Sequence, residues 1–582
     1  MSLCRAGSLP AALLSSGAAS HRLNGCCHRS LHAIAARPRR RDHLRSISGR
    51  RAYTTEPKDA DIAVLGGGLT GLSAAYYLAK KLPSTANITL YESSDRLGGW
   101  IKTDRVPVDV GGKQGVVLFE RGARSLTSLA GNTFRYDDLV LYDLALDLGL
   151  KISSPGSKPR YIYYPDHLVT MPPFAPFADF LREPLFLQSF GAGLALAFNT
   201  LRRRQLPAQD YSVAEWLYKI TNSRKAVGTL ASAMMHGIYG GDINKLSARS
   251  VLDRIYWGWY LPNPGFHARP MPMPEKEILE ALGKDKEIQK LALSPKNALL
   301  DFGESGMETL PRAMADALRS QPNVTIKTGE DVWGLTYDQK IKKIEIASSK
   351  SSEQPQRFDK VISTLSSQDT ASLAPYKLRA FSKAHSVSIM RVNLWFPQEN
   401  LKPPGLGYLI PNTVAPETNP EHALGVFFDS DVQVRSADEP AGTKLFVLMG
   451  GHYYDEPGAK IPSEDEAIIQ ARSLLERHLG IPRDAPCHAV AGLAKNCIPQ
   501  HNVGHQDLLR DAHRELCTHF EGRLAVAGGS YGRIGAIASL RAGYDAALST
   551  KSGLENTGLE YLNQLQDFAV VPIEKIPVRR FK

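Results

Sequence analysis

The spacing of apolar positions changes several times along this chain, and the changes mark out its parts. Asp61-Ile62-Ala63-Val64-Leu65 is a short apolar run, which predicts a parallel strand buried on both faces. Leu72, Ala75, Tyr76 and Leu78 then recur at helical spacing, and Asn87-Ile88-Thr89-Leu90-Tyr91 predicts a second strand that ends at Glu92. Val324-Thr325-Ile326-Lys327 alternates as a strand, and Val361-Ile362-Ser363-Thr364 predicts another. Leu524-Ala525-Val526-Ala527 runs into a glycine turn and then a helix through Leu540 and Tyr544. Ser386–Phe396 and Leu445–Gly450 read as strands of a separate sheet. An apolar run of 14 residues, Leu185 to Phe198, falls short of the roughly 18–20 needed to span a bilayer.

At 582 residues, with 43% hydrophobic and 22% charged content, the chain has the composition of a globular protein with room for two or three domains. Its net charge of +11 first suggests an acidic partner. Residues 1–52, however, hold ten arginines and one acid, Asp42, so +9 of that charge sits in the leader. The excess charge belongs to the leader, and no nucleic-acid surface is implied. An Arg-, Ser- and Ala-rich, acid-poor leader predicts a mitochondrial transit peptide over 1–53. Cys4, Cys26 and Cys27 lie in it, and Cys487, Cys497 and Cys517 show no spacing that suits a metal or a disulfide framework.

Between the first two strands stands Gly66-Gly67-Gly68-Leu69-Thr70-Gly71, a G-x-G-x-x-G, with Glu92 closing the second strand. Strand, triplet, helix, strand and acid in that order form the dinucleotide fingerprint of a Rossmann-like three-layer α/β domain. Gly66 allows the tight turn, Gly68 the approach of a pyrophosphate to the helix N-terminus, and Gly71 close helix packing; Glu92 would accept from ribose hydroxyls. Beyond it comes Ser93-Ser94-Asp95-Arg96-Leu97-Gly98-Gly99-Trp100, which resembles the R-x-G-G extension of the flavin amine oxidase superfamily. That extension implies FAD, with Ser93, Arg96, Gly98, Gly99 and Trp100 at the second phosphate and the flavin approach.

Further motifs narrow the resemblance to the protoporphyrinogen oxidase family. Phe119-Glu120-Arg121-Gly122-Ala123-Arg124-Ser125 is similar to its F-E-x-G-P-R segment, with Ala123 in place of proline. The resemblance implies that Gly122, Ala123, Arg124 and Ser125 lie by the cofactor and that Arg124 pairs with a substrate propionate. His236–Asp242 resembles a pocket loop of the family, placing Gly237 against a flat macrocycle, and Gly405-Leu406-Gly407 a second one, at Leu406. Val332 matches the position that contacts the adenine end. Gly528, Ile534, Gly535 and Ala536 match the turn and helix start that face the flavin. Cys497 lies in an I-P-Q stretch of the family, which implies non-covalent FAD.

The resemblance further implies an α/β (α+β) architecture. FAD-binding parts are expected at 54–155, 296–345 and 485–582, and a mainly helical membrane-binding insert at 156–260. A connection follows at 261–295 and a substrate-binding α+β domain at 346–484. It implies six-electron oxidation of protoporphyrinogen IX with dioxygen as acceptor, a homodimer, monotopic attachment to the mitochondrial inner membrane on the intermembrane-space side, and a ferrochelatase contact. An amine or polyamine oxidase, or an inactive binding protein of the GDP-dissociation-inhibitor type, stays open as an alternative. On physics alone the 185–198 helix fits a core helix and an interfacial anchor equally well.

Overall fold

The structure is a computed structural model of the full chain. It describes residues 59–127, 135–153, 156, 158–201, 205–261, 267–294, 299, 300, 302, 306–350 and 355–579. The expected transit peptide lies outside the described residues.

Strand β1 (Asp61–Leu65) occupies the centre of a five-stranded sheet in which every pairing is parallel. Its neighbours are β2 (Asn87–Glu92) and strand Lys360–Ser363, with Val324–Thr328 and Leu524–Val526 at the edges. Ile62, Ala63 and Val64 are fully buried, as a central parallel strand covered on both faces requires. Helix α1 (Leu69–Lys81) links β1 to β2, and helix Ala536–Ser552 lies across it. Gly543 allows that closeness: a Cβ there would sit 2.6 Å from the Ala74 nitrogen and 2.7 Å from the Ser73 Cβ. Ser73 Oγ, buried in the contact, donates to the Leu540 carbonyl at 2.7 Å.

The second sheet has seven strands. In spatial order they are His488–Gln500, His385–Phe396, Thr443–Gly450, Ala423–Phe427, Gly407–Leu409, Tyr161–Tyr163 and Leu168–Thr170. Side chains alternate between its faces. Met390, Val392, Leu394, Leu445 and Val447 fill a core on one side. The other side carries Arg391, Asn393, Phe446 and Leu448. Towards it lies the hairpin of β3 (Thr103–Val110) and β4 (Lys113–Glu120), with Val117 and Phe119 packed on Trp395.

These memberships correct the expected boundaries. Lys360–Ser363, inside 346–484, belongs to the parallel sheet, and His488–Gln500, inside 485–582, belongs to the antiparallel one. Tyr161–Tyr163 and Leu168–Thr170, inside the expected helical insert, are antiparallel-sheet strands. Pairing between strands far apart in the chain decides membership.

Helix Pro184–Thr200 contains the apolar run, and only Leu185 and Ala192 of it are buried. Leu187, Phe190, Leu194 and Phe198 are exposed, as are Phe177 and Leu181 just before it. The core-helix alternative is therefore excluded. Among the described residues no helix is long and apolar enough to cross a membrane.

Candidate functional site

Two helices begin, without side-chain caps, beside one glycine-lined trough. Helix α1 starts after Gly68, and helix Ala536–Ser552 starts after Gly535 (φ +111); neither has an acid in its first turn. Uncapped N–H groups and the positive dipole end make each start a site for anionic or electron-rich groups. A Cβ on Gly68 would meet only the Gly99 Cα, at 3.9 Å, and one on Gly535 would meet nothing within 4 Å. Gly528 (φ +119) lies beside Thr70, its nearest neighbour for a Cβ being Thr70 Oγ1 at 3.5 Å. By contrast, a Cβ on Gly71 would fall on the Gly66 carbonyl oxygen. Gly71 is small for packing, and Gly68 borders open space. A dinucleotide with its pyrophosphate on α1 fits this arrangement.

The flanking side chains brace the trough. Glu92 accepts from the Gly67 N–H at 2.7 Å and from the Ser94 N–H and hydroxyl at 2.9 and 2.7 Å, which fixes an acceptor at the end of β2. Gly329 donates to the Ser94 carbonyl at 2.7 Å and Glu330 to the Glu92 carbonyl at 3.0 Å, bringing Val332 to that end. Arg96 donates to the Ile101 carbonyl at 3.1 Å and holds its own loop, while the Trp100 indole is exposed. At the other end, Arg533 donates to Asp137 at 3.0 Å and to Glu275 at 3.0 Å, anchoring the residue before Ile534-Gly535. Burial opposes the Arg533 charge, but Asp137, Glu275 and Asp253 overcome it and hold its pKa well above the usual range. His501 Nε2 donates to the Gly529 carbonyl at 2.8 Å, and burial pushes its pKa down to about 4, so it is neutral.

Facing the β3–β4 side, the seven-stranded sheet presents rows fixed by register. One row runs Gly492, Arg391, Leu448, Gly425, Leu409, and the next contains Asn393, Phe446 and Phe427. Arg391, Leu448, Phe427 and Leu409 are half-buried within otherwise buried strands and mark a groove on this face. Arg124 is buried, its guanidinium 3.0 Å from the centroid of the Phe446 ring. Its Nε lies 3.3 Å from Asp429 Oδ1, an electrostatic pairing outside hydrogen-bond geometry. Burial lowers the Arg124 pKa to about 10 against the pull of Asp429, and burial raises Asp429 to about 6. Glu120 is also buried; it accepts from Thr103 Oγ1 and the Met307 N–H, and burial raises it to about 7.

Comparison with known proteins agrees with this geometry. The family model for flavin-containing amine oxidoreductases matches residues 69–538. The chain belongs to that family. Within it, the chain is 31% identical to the protoporphyrinogen oxidase of Schizosaccharomyces pombe over 490 residues, 81% of this chain and 94% of the relative. It is 27% identical to the human protoporphyrinogen oxidase, over 84% of this chain and 98% of that one. Among solved structures, a putative protoporphyrinogen oxidase from Exiguobacterium sp. 255-15 superposes with a TM-score of 0.62. That match has 20% identity and covers 85% of this chain and 99% of the other, so it speaks to the fold. Like other members of this family, the chain is an FAD-dependent oxidoreductase.

For three of the expected substrate residues the structure shows close protein neighbours. Arg124 was expected on a substrate carboxylate, yet Asp429 already faces its charge. Gly237 was expected against the macrocycle, but a Cβ there would meet both Leu409 methyls at 2.9 Å, so Leu409 occupies that space. Leu406 is buried against Val432, and Leu409, three residues on, is half-buried in the groove row. Gly122 and Ser125 do lie in the segment holding Arg124, whose Nη1 donates to the Gly122 carbonyl at 3.1 Å. Asp429, Arg391, Glu120 and His501 escaped the sequence reading. For Arg391 the one available signal was a cation inside a strongly apolar strand, Ser388-Ile389-Met390-Arg391-Val392-Asn393-Leu394.

Proposed function

We propose that the chain oxidises protoporphyrinogen IX to protoporphyrin IX, with bound FAD as two-electron acceptor and dioxygen as its reoxidant. The observation that carries the reading is the glycine trough with two uncapped helix starts, in a chain that spans 94% of a protoporphyrinogen oxidase at 31% identity. The α1 start and Gly68 would hold the pyrophosphate, Glu92 the ribose, the residues at Val332 the adenine end, and the helix start at Gly535 the flavin's electron-rich edge. FAD supplies the hydride-accepting chemistry when bound.

The chain's own contribution is positioning. Leu448, Phe427 and Leu409 offer an apolar wall for a flat tetrapyrrole, and the cations beside it would repel an amine substrate. Protons released from pyrrole nitrogens can pass to water, so no side chain is assigned as base. The exposed apolar face of helix Pro184–Thr200 supports monotopic attachment to lipid, next to Arg202, Arg203 and Arg204 in sequence. With the basic leader, it supports residence on the mitochondrial inner membrane, where the intermembrane-space side, a homodimer and a ferrochelatase contact complete the proposal.

The test is aerobic turnover of protoporphyrinogen IX by the FAD-loaded chain, following porphyrin fluorescence and peroxide together. Both signals should rise in proportion to bound FAD. A yellow protein that leaves the porphyrinogen at its autoxidation rate would overturn the substrate and keep the cofactor.

A further inference from the structure

The groove on the seven-stranded sheet contains a cation, Arg391, that has no carboxylate at ion-pair distance among the described residues. Arg391 lies at the middle of strand His385–Phe396, half-buried, between Gly492 and Leu448. Among the described residues no carboxylate comes within 4.0 Å of it, whereas Arg124, stacked on Phe446 of the next row, faces Asp429 at 3.3 Å. Asp104 is the acid whose field pulls most on Arg391, and it is engaged by Arg121. Burying an arginine without a counter-charge is costly, so such a residue points to an anion that arrives from outside.

The side chain is also held in place. Nε donates to the Gly492 carbonyl at 3.3 Å and Nη1 to the Arg121 carbonyl at 3.1 Å. A Cβ on residue 492 would sit 2.6 Å from Nη2, so glycine there makes room for the guanidinium. Two of five N–H donors are spent on carbonyls, and those bonds set the plane of the fork for a further acceptor. The Arg121 carbonyl belongs to the segment that runs through Gly122 to Arg124, which ties Arg391 to the cofactor side of the groove.

We infer that Arg391, and not Arg124, receives a carboxylate of the substrate, fixing an apolar tetrapyrrole acid on the wall of Leu448, Phe427 and Leu409. This rests on the porphyrinogen reading above. Arg124, with Asp429, is then a positioning pair that anchors the segment beside the cofactor to the sheet.

The experiment compares the FAD-loaded wild type with Arg391→Gln and Arg391→Lys on protoporphyrinogen IX and its dimethyl ester. Product binding is read in parallel from protoporphyrin IX fluorescence. Loss of a charge-assisted pair should raise KM for the free acid by about ten- to a hundredfold in Arg391→Gln, with kcat within about twofold. Arg391→Lys should recover part of that loss, and product binding should weaken by a similar factor. On the dimethyl ester, wild type and Arg391→Gln should converge. Equal KM and equal product binding for the free acid in wild type and Arg391→Gln, at equal FAD content, would overturn the assignment. Should Arg391→Gln fail to fold, the wild type alone decides: failure to prefer the free acid over its ester would overturn it. A wild type that turns over neither compound removes the porphyrinogen reading, and the carboxylate site falls with it.

Discussion

The two sheets do their work by opposite means. On the parallel sheet the proposed working groups are backbone: Gly68 and Gly535 border open space, and bare helix starts face it. On the antiparallel sheet they are side chains, cations and aromatic rings set in rows by strand register. A backbone site is steric and close to all-or-none, because any side chain at the wrong glycine meets main chain. A side-chain site is graded, because charge and shape can be trimmed one residue at a time.

The sharpest break in this comparison is Gly71→Val. Its Cβ would fall on the Gly66 carbonyl, so the protein should purify without yellow colour, with a loss of about 3 kcal/mol or more in urea unfolding. Gly68→Ala meets only the Gly99 Cα at 3.9 Å, and should fold with unchanged stability while FAD binds at least about tenfold more weakly. Equal FAD affinity in Gly68→Ala would remove the pyrophosphate from α1.

Next in size is Asp429→Ala, which leaves the buried Arg124 charge unanswered and should cost about 3–5 kcal/mol in denaturant unfolding. Arg391→Gln, on the same face but without a partner acid, should cost far less. Similar losses at both would erase the distinction between the two arginines.

A smaller effect comes from pH. Burial holds His236, His478 and His501 at about 4, below the ordinary 6.5. Between pH 6.5 and about 4 the unfolded chain binds protons that these imidazoles refuse, so their contribution is complete above 6.5 and is lost as pH falls towards 4. His501→Gln removes one of them, and the acid slope of stability should flatten by up to about 1.4 kcal/mol per pH unit. Melting curves between pH 4.5 and 6.5 check this; an unchanged slope would mean that His501 is not held neutral.

The smallest change in stability belongs to the exposed face of helix Pro184–Thr200. Phe190→Glu with Leu194→Glu should leave stability within about 0.5 kcal/mol yet abolish sedimentation with liposomes. Liposome binding that survives both charges would move the lipid contact elsewhere.

The same division explains what the sequence discloses. Gly66 to Gly71, Glu92 and Gly535 are legible because each acts within a few residues of its neighbours, so spacing alone carries the geometry. The neighbour of Gly237 was not legible, because the side chain against it, Leu409, lies in a distant strand. The position of Arg124 was legible, but its partner was not, since Asp429 is delivered by a different sheet strand's exit. Arg391 offered only the signal of a cation in an apolar strand, because one residue of shift in register would have turned it to the opposite face.

A ribosome delivers the central parallel sheet in an order that postpones its completion. β1 emerges early, but Thr364, whose hydroxyl donates to the Leu65 carbonyl, follows 299 residues later. The edge strand Leu524–Val526 and the Gly528–Gly535 turn come near the end. No nascent fragment can therefore close around the cofactor, and an apolar strand edge stays exposed through most of synthesis. A site that needs the Gly528–Gly535 turn is completed late in synthesis, and a chain stopped before residue 524 should purify without yellow colour.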